Sequence, residues 1–428
     1  MKKNLAARRF ATISALLVAT AACAPSAQAP PEIAAVSDPT PIENPSAPDS
    51  RMPGLSVGSD GRIHMSWVEP TESGHRVAAA TLSPDGSWSA TTTAVTAADL
   101  FVNWADFPSV IELRDGTLAS HWLQSLGEES MAYGVMLART DSAGTWGASW
   151  QAHDDSSATE HGFTSLVAEP DGGFSAVWLD GRAFVNSGLD PHSGAADMSL
   201  RSRRYAADGT PGPEQVLDLR ICDCCQTGAA YLGDALVVVY RDRSPDEIRD
   251  IWMVRRTEAG WSEPSAIADD GWMIPGCPVN GPVVVSTGGD AGAVVWFSLV
   301  DGTPEVKVAF TDDQGASFSD PILVERGTVE AATLGRVGLA SLGDGSVVAT
   351  WLSQIDRTGE IRYRRITPDG MIGPVQLLAL TGAARSSGFP QVTATSHRVF
   401  FAWTDTSGDD AVIRTASLPL RSLVTPGD

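Results

Sequence analysis

The chain has 428 residues, with 52 acidic and 30 basic side chains and a formal net charge of −22. A surface this acidic repels phosphate backbones, so nucleic acid is excluded as an expected partner. At 43% hydrophobic residues the chain can bury a sizeable core, and we expect one domain and a monomer.

The first 22 residues are predicted to be an export signal. Met1, Lys2 and Lys3 open a positively charged segment, residues 11–19 are apolar, and small residues precede Cys23. Thr20, Ala21, Ala22 and Cys23 resemble the processing site of bacterial lipoproteins, in which the cysteine is lipidated after cleavage. Ordinary secretion after cleavage near Ala22 or Ala29 is the alternative. We therefore expect a bacterial envelope protein, periplasmic or outer-membrane-associated, which touches the membrane only through the lipid on Cys23.

Residues 23–48 are rich in Pro and Ala, and we predict that they tether the folded domain to the anchor at Cys23. Within them, residues 32–36 have the pattern of a short strand. Removing residues 1–22 takes away four basic and no acidic residues, which leaves 26 basic and 52 acidic residues and a net charge of −26. Residues 49–428 form the predicted folded domain.

Seven times in that domain a short turn is followed by an apolar strand that ends on an aromatic ring. The rings are spaced 55, 56, 62, 56, 55 and 52 residues apart. They are Trp67, Trp122, Trp178, Tyr240, Trp296, Trp351 and Trp403. A period of this size marks one supersecondary unit that is repeated in space.

Each unit alternates polar and apolar residues with a period of two, in about four segments bounded by Gly, Asp and Pro, which is typical of strands. The prediction is an all-β fold, a β-propeller of seven four-stranded blades, with six blades as the alternative. The last unit has no clear fourth strand after residues 412–418. We expect residues 32–36 to supply that strand and close the ring.

Residues 311–318 follow the pattern Ser/Thr-x-Asp-x-Gly-x-x-aromatic, with Asp313, Gly315 and Phe318 at the defining positions. Weaker copies occupy residues 83–88, 140–146 and 367–370. The chain thus resembles the sialidase-like, Asp-box (BNR repeat) β-propellers, which usually have six blades. The resemblance implies a fold shared by sialidases, other hydrolases and non-catalytic binding proteins.

Sialidases of this kind use three arginines, a Tyr–Glu nucleophile pair and an Asp acid/base. The Arg-Ile-Pro signature of that family is absent here, and no residue-by-residue transfer of its catalytic set follows. Tyr240 and Tyr363 are the tyrosines with charged neighbours in the sequence. Tyr240 replaces a repeat Trp, so packing within its blade is its expected role.

In a propeller, the loops that enter the innermost strands and the loops between the second and third strands emerge on one face around the axis. We call this the axial face. The catalytic candidates on it are Asp106, Arg241, Asp242, Arg243 and Glu247. The ligand-binding candidates are His161, Arg182, Arg336 and Arg385. A solvated network of surface charges is the alternative for both sets.

Cys222, Cys224, Cys225 and Cys277 are the only cysteines besides Cys23. They enter the innermost strands of adjacent units, so they are predicted to meet beside the axis. Three interpretations of these cysteines are possible. Export favours disulfide bonds, thiolates are suitable ligands for Cu or Zn, and the cysteines could also be reactive thiols. In extended backbone Cys225 would project away from Cys222 and Cys224, so joint ligation needs a turn.

Two functions follow. One is an exported propeller whose axial face binds a glycan, protein or metal beside the cysteine cluster. The other is a glycan-active hydrolase of the exo-sialidase type, which uses carboxylates and arginines of the same face.

Overall fold

A computed structural model describes residues 38–127, 131–187 and 197–424. The predicted signal segment, Cys23 and the predicted closing strand at residues 32–36 lie outside these ranges. The described residues form seven antiparallel sheets; six are built from consecutive strands in sequential order, and the seventh joins a strand near the start of the described chain to its last three strands. Among them, no helix is both long enough and apolar enough to cross a membrane.

The first three blades contain strands β2 to β13. Blade 1 consists of β2 (Arg51–Val57), β3 (Ile63–Thr71), β4 (Gly74–Leu82) and β5 (Thr92–Ala97). Blade 2 consists of β6 (Ser109–Glu112), β7 (Leu118–Ser125), β8 (Tyr133–Arg139) and β9 (Trp150–Gln151). Blade 3 consists of β10 (His161–Ala168), β11 (Phe174–Asp180), β12 (Met198–Tyr205) and β13 (Gln215–Ile221). The short helix α1 (Arg182–Ser187) follows β11.

Blades 4 to 6 contain strands β14 to β26. Blade 4 consists of β14 (Gly228–Leu232), β15 (Ala235–Arg241), β16 (Ile251–Thr257), and an outer strand split into β17 (Gly260–Trp261) and β18 (Ser265–Ala266). Blade 5 consists of β19 (Val283–Gly288), β20 (Ala291–Val300), β21 (Thr303–Thr311) and β22 (Ile322–Arg326). Blade 6 consists of β23 (Ala331–Ser341), β24 (Val347–Ile355), β25 (Thr358–Ile366) and β26 (Gln376–Gly382).

Blade 7 closes the ring. It consists of β27 (Gln391–Ala394), β28 (Arg398–Asp405), β29 (Val412–Pro419) and, as its outermost strand, β1 (Thr40–Ile42). Two single-turn 3₁₀ helices complete the described structure, Arg385–Ser387 and Leu420–Ser422. The prediction of seven four-stranded blades with an N-terminal closing strand is confirmed.

The closing strand lies further along the chain than the hydrophobic pattern indicated. Thr40, Pro41 and Ile42 pair with β29, and the Thr415 hydroxyl donates to the Ile42 carbonyl at 2.5 Å. The Asn44 side chain donates to the Ile413 carbonyl at 3.0 Å. An outermost strand is bound mainly by backbone and side-chain hydrogen bonds and tolerates Pro, so apolar content was a poor guide to its position.

The repeat aromatics lie where the period placed them, on the second strand of each blade. Six of the seven rings are at most 2% exposed, and Trp403 is 8% exposed. Tyr240 is buried among apolar residues of blades 3 and 4, which agrees with the expected packing role, and its hydroxyl donates to Asp218 of blade 3 at 2.6 Å. These rings pack with apolar strand residues of their own and adjacent blades, which makes the core a series of layers between sheets.

The turn at residues 311–318 joins β21 to β22, as the repeat pattern required. Asp313 accepts hydrogen bonds from the Thr311 hydroxyl at 2.8 Å and from the Ser317 backbone at 2.9 Å. Gly315 has φ +73°, the left-handed region that glycine occupies without strain. Phe318 packs against the core between blades 4 and 5. The turn is thus a structural element that fixes a hairpin.

Replacement of Trp351 by Ala should lower the free energy of unfolding by about 3–5 kcal/mol, because the ring is fully buried between blades. Trp351→Phe is the matched control. The indole nitrogen has no hydrogen-bond partner in the described part of the chain, so the control loses ring volume alone. Equilibrium denaturant unfolding measures both. Equal losses for Ala and Phe would contradict this packing.

Candidate functional site on the axial face

A cavity of about 320 Å³ lies on the axis and is lined by the innermost strands of all seven blades. Asp106 and Gln226, from the loops that enter β6 and β14, are part of its lining. The Gln226 amide nitrogen donates to the Ala105 carbonyl at 2.5 Å, and its oxygen accepts from the Gly281 backbone at 3.0 Å. One side chain therefore ties the entries of blades 2, 4 and 5 together beside the cavity.

Asp106 lies beside this cavity, as predicted, and is only 4% exposed. Its carboxylate accepts a hydrogen bond from the Phe163 backbone at 2.5 Å. Gly162 leaves the space it needs, since a Cβ there would lie 2.2 Å from a carboxylate oxygen. Burial raises the pKa of Asp106 to about 7, although the Phe163 hydrogen bond opposes the shift. Asp106 is thus a carboxyl group that can hold a proton near neutral pH.

Two further ionisable groups of this region were not identified from the sequence: Tyr133, which lies near both Asp106 and Glu160, and Glu160 itself. Burial and the charge of Asp223 raise the pKa of Glu160 to about 7. Burial, followed by the charges of Glu160 and Asp106, raises the pKa of Tyr133. Glu160 directly precedes innermost strand β10 and so lies in the same class of loop as Asp106. Its position in that class of loop could have identified Glu160 from the sequence, but the prediction selected the neighbouring His161.

The four cysteines of the propeller come together as predicted. The Cys222 sulfur lies 3.4 Å from the Cys225 sulfur and 3.8 Å from the Cys224 sulfur. A turn at residues 223–224 brings all three onto one side, which extended backbone would not allow. Cys277 lies 3.8 Å from a carboxylate oxygen of Asp223.

These side chains form two overlapping groups that could hold a metal ion. The first is Cys222, Cys224 and Cys225, and the second is Asp223, Cys224 and Cys277. In each group the candidate ligand atoms lie within 4.8 Å of one another. All four cysteines are free thiols in this structure, and the sulfur separations exceed a disulfide bond of about 2.05 Å. No disulfide links these four cysteines, and their arrangement could hold a metal ion.

Charged side chains from the loop between β15 and β16 cover the cluster. Arg249 donates to the Cys222 sulfur at 3.2 Å and pairs with Asp223 at 3.2 Å and with Glu247 at 2.9 Å. Glu247 also pairs with Arg243 at 2.7 Å. Burial opposes ionisation of Cys222, yet hydrogen bonds with Cys224 and Cys225 and the charge of Arg249 lower its pKa well below the usual value. Of the predicted catalytic residues, Arg243 and Glu247 thus join the cysteine cluster.

Arg241 is not available to a ligand. It is 1% exposed, and its guanidinium donates to the backbone carbonyls of Asn280, Arg249 and Phe297 at 2.5–3.0 Å. The same group lies over the Trp272 ring at 4.8 Å. We interpret Arg241 as the residue that holds the loops of blades 4 and 5 together.

Asp242 lies apart from Glu247, beside Asp218 and Arg220. Burial raises its pKa to about 7, the Arg243 backbone opposes the shift, and the negative charge of Asp218 adds to it. Asp242 therefore belongs to the junction between blades 3 and 4 and does not join the Arg243–Glu247 pair.

His161 and Arg182 belong to a buried network within blade 3. His161 has no exposed surface, lies 3.0 Å from a carboxylate oxygen of Asp155, and stacks on His153 at 3.7 Å between ring centroids. Arg182 pairs with Asp180 at 2.7 Å. The sequence placed both residues in the correct loops, but their side chains point into the blade.

Arg336 and Arg385 meet on the opposite side of the cavity, around Trp104. Their guanidinium carbons lie 4.9 Å and 5.8 Å from the centre of the Trp104 ring, and Phe389 stacks on that ring at 5.9 Å. Burial and the charge of Arg385 lower the pKa of Arg336 to about 10. Within the described residues neither arginine has an acidic partner. Arg336 is only 7% exposed and donates to the carbonyls of Ala384 and Gly388 at 3.0 and 3.1 Å, whereas Arg385 is exposed, so Arg385 is the more accessible of the two to a ligand. We call Trp104, Arg336, Arg385 and Phe389 the aromatic–arginine patch.

No family model and no curated protein match the chain. Among solved structures it is similar to a protein of unknown function from Dyadobacter fermentans DSM 18053, with 13% identity, a TM-score of 0.50, and coverage of 90% of this chain and 99% of that one. A polysaccharide lyase, the PL25 ulvan lyase bound to -[GlcA(1-4)Rha3S]-, aligns at 11% identity and a TM-score of 0.51, over 91% of this chain and 99% of that one.

The NanB sialidase from Streptococcus pneumoniae aligns at 12% identity and a TM-score of 0.44, over 92% of this chain and 71% of that one. At that TM-score the sialidase carries no functional inference. The likeness to the other two proteins shows a common β-propeller fold. The functional assignment therefore depends on the residues of the axial face.

The raised pKa of Asp106 predicts a pH-dependent stability. Its carboxyl group is protonated in the folded chain below about pH 7 and ionises near pH 3.8 when unfolded. The stabilisation is therefore complete below about pH 4 and is lost as pH rises to about 7, by on the order of 4 kcal/mol. Asp106→Asn should remove this slope, since an amide oxygen can still accept the Phe163 hydrogen bond.

The measurement is the free energy of unfolding of both proteins from pH 4 to pH 8. The difference between them isolates Asp106 from Glu160 and Asp242, whose pKa values are raised to about 7 as well. Parallel stability curves would contradict a buried, protonated Asp106.

Proposed function

We propose that the axial face binds an acidic glycan, with the aromatic–arginine patch as its binding surface. The observation that carries this proposal is the proximity of Arg336 and Arg385 without a carboxylate partner in the described chain, although the sequence has 52 acidic residues. The positive charge of Arg385 repels that of Arg336 and, after burial, contributes to the lowered pKa of Arg336. A carboxylate or sulfate on a ligand would relieve that repulsion and accept charge-assisted hydrogen bonds.

The remaining features of the site suit a saccharide. Trp104 is half-buried and offers apolar ring surface beside the arginines, and Asp106 and Gln226 line the adjacent cavity of about 320 Å³. Pockets that combine apolar walls with a few placed polar groups are typical of small-ligand sites. The ulvan lyase, which has the same fold, is described with a saccharide containing GlcA, an acidic sugar. That precedent supports the ligand class, and a protein ligand with an acidic side chain is the alternative partner.

Glycan hydrolysis is a second candidate function. It is favoured by Asp106 and Glu160, two carboxyl groups whose pKa values are both raised to about 7. A carboxyl group with such a pKa can donate a proton to a leaving group near neutral pH, which is the task of the general acid in glycosidases. Asp106 and Glu160 replace Arg241 and Asp242 as the residues on which this candidate depends.

We also propose that the cysteine cluster holds copper or zinc. Thiolates are soft ligands that suit both metals, and the two overlapping groups supply up to four sulfur atoms. This metal site lies beside Glu160, since Asp223 of the second group contributes to its raised pKa. Ligand site and metal site would thus share the axial face.

Export and lipid anchoring complete the proposal. The basic and apolar segments of residues 1–22, followed by Cys23, support a lipoprotein of the bacterial envelope whose propeller extends from the membrane on a Pro/Ala-rich tether.

Glycan binding is tested with an array of neutral, uronic-acid and sialic-acid oligosaccharides, followed by calorimetry on the strongest binder. We expect acidic glycans to be retained. Arg385→Ala and Trp104→Ala should each weaken binding about 10-fold or more through loss of a charged or aromatic contact. Arg398→Ala, an exposed arginine at the turn between β27 and β28 on the opposite face, is the matched control. Retention of neutral glycans only, or equal loss in the control, would contradict the proposal.

Anchoring is tested by Cys23→Ala in the exporting host. The variant should move from the membrane fraction to the soluble envelope fraction, because the lipid on Cys23 is the proposed attachment. Cys277→Ala, which removes an exposed cysteine of the propeller, is the control and should stay in the membrane fraction. Unchanged fractionation of Cys23→Ala would contradict lipid attachment at this residue.

A further inference from the structure

We infer that Cys222, Cys224 and Cys225 form a three-coordinate thiolate site for Cu(I), and that Cys277 lies outside its coordination sphere. This inference rests on the proposal that the cluster holds copper or zinc, and it selects copper. It concerns the metal and its ligands and is independent of the glycan proposal.

The three sulfur atoms are already close to the arrangement that one ion requires. With metal–sulfur bonds of about 2.3 Å, three sulfurs around an ion lie about 3.8–4.0 Å apart. The Cys222–Cys224 separation is 3.8 Å, and the Cys222–Cys225 separation is 3.4 Å. The Cys222–Cys225 pair would have to open by about half an ångström, and the third pair, Cys224 and Cys225, lies within 4.8 Å. The turn at residues 223–224 therefore presents a site that is largely formed before the metal arrives.

The number of ligands favours Cu(I) over Zn²⁺. Zinc is almost always four-coordinate in structural sites, whereas Cu(I) is stable with three thiolates. Cys277 is grouped with Asp223 and Cys224, and not with Cys222 or Cys225, so a tetrahedron of four sulfurs is not assembled. Cys277 is also exposed, whereas Cys222 and Cys225 are 1% and 2% exposed. A water ligand to complete a zinc site would have to enter this buried position.

The surroundings balance the charge of such a site. Cu(I) binds to three thiolate sulfurs through three sulfur–copper bonds, any proton still on these sulfurs passes to solvent, and the complex has a charge of −2. Arg249 donates to the Cys222 sulfur at 3.2 Å and is itself held by Asp223 and Glu247. Arg241 adds a second positive charge near Cys222 and Cys225. Cationic donors of this kind orient a thiolate ligand and stabilise its charge.

The test uses the full mature chain, reduced and handled without oxygen. It is titrated with Cu(I) in competition with a chromogenic Cu(I) chelator, and in a separate arm with Zn²⁺. We expect one Cu(I) per chain and an X-ray absorption spectrum that fits three sulfur ligands. Cys222→Ser and Cys225→Ser should weaken Cu(I) binding about 100-fold or more, because each removes a ligand. Cys277→Ser, the matched control, should keep both stoichiometry and affinity.

A measurement on the unsubstituted protein covers the case in which a cysteine variant fails to fold. After Cu(I) loading, alkylation followed by mass spectrometry should modify Cys277 while Cys222, Cys224 and Cys225 are protected. Binding of Zn²⁺ by four sulfurs, lost in Cys277→Ser, would overturn the three-coordinate site and leave the metal proposal standing. The three-coordinate site and the metal site itself would both be contradicted if the reduced protein binds neither ion. They would also be contradicted if the protein as isolated has no free thiols and no metal.

Discussion

Closure of the ring is the constraint on which the rest of this structure depends. Strand β1 pairs with β29, so residues near the start and the end of the described chain share one sheet. Closure protects the sheet edges of blade 7 and turns the innermost strands of all seven blades toward one axis. Asp106 and Gln226 are far apart in sequence, and both line the axial cavity because each lies in a loop that enters an innermost strand. Glu160 and Cys222 lie in loops of the same kind.

Arg241 and Arg249 stand at the two ends of the loop between β15 and β16 and have different roles. The donors of Arg241 bind the backbone carbonyls of Asn280, Arg249 and Phe297, and buried polar groups need such partners. Arg249 directs its donors to a sulfur and to carboxylates. Both residues are buried and belong to blade 4. Only their partners show that Arg241 holds loops together and that Arg249 contacts the cysteine cluster.

The axial face has two regions of different chemistry. On one side the cysteine cluster lies among Asp223, Glu247 and Arg249, where opposite charges are paired. On the other side Arg336 and Arg385 flank Trp104, and no carboxylate of the described residues pairs with them. Asp106 lies between the two, protonated near neutral pH because of its burial. The proposed soft cation and acidic ligand would therefore bind to separate surfaces of one face.

The sequence by itself determined the all-β class, the seven units, the buried aromatics such as Trp351, and the loops that share the axial face. These features depend on local periodicity and on a repeat, which are visible along the chain. Tertiary structure decided that Thr40–Ile42 form the closing strand, that Arg241 and His161 point inward, and that Tyr133 lies near both Glu160 and Asp106. It also decided that a turn places Cys225 with Cys222 and Cys224. The orientation of a side chain in a loop depends on partners from other blades, and a sequence pattern contains no distance between them.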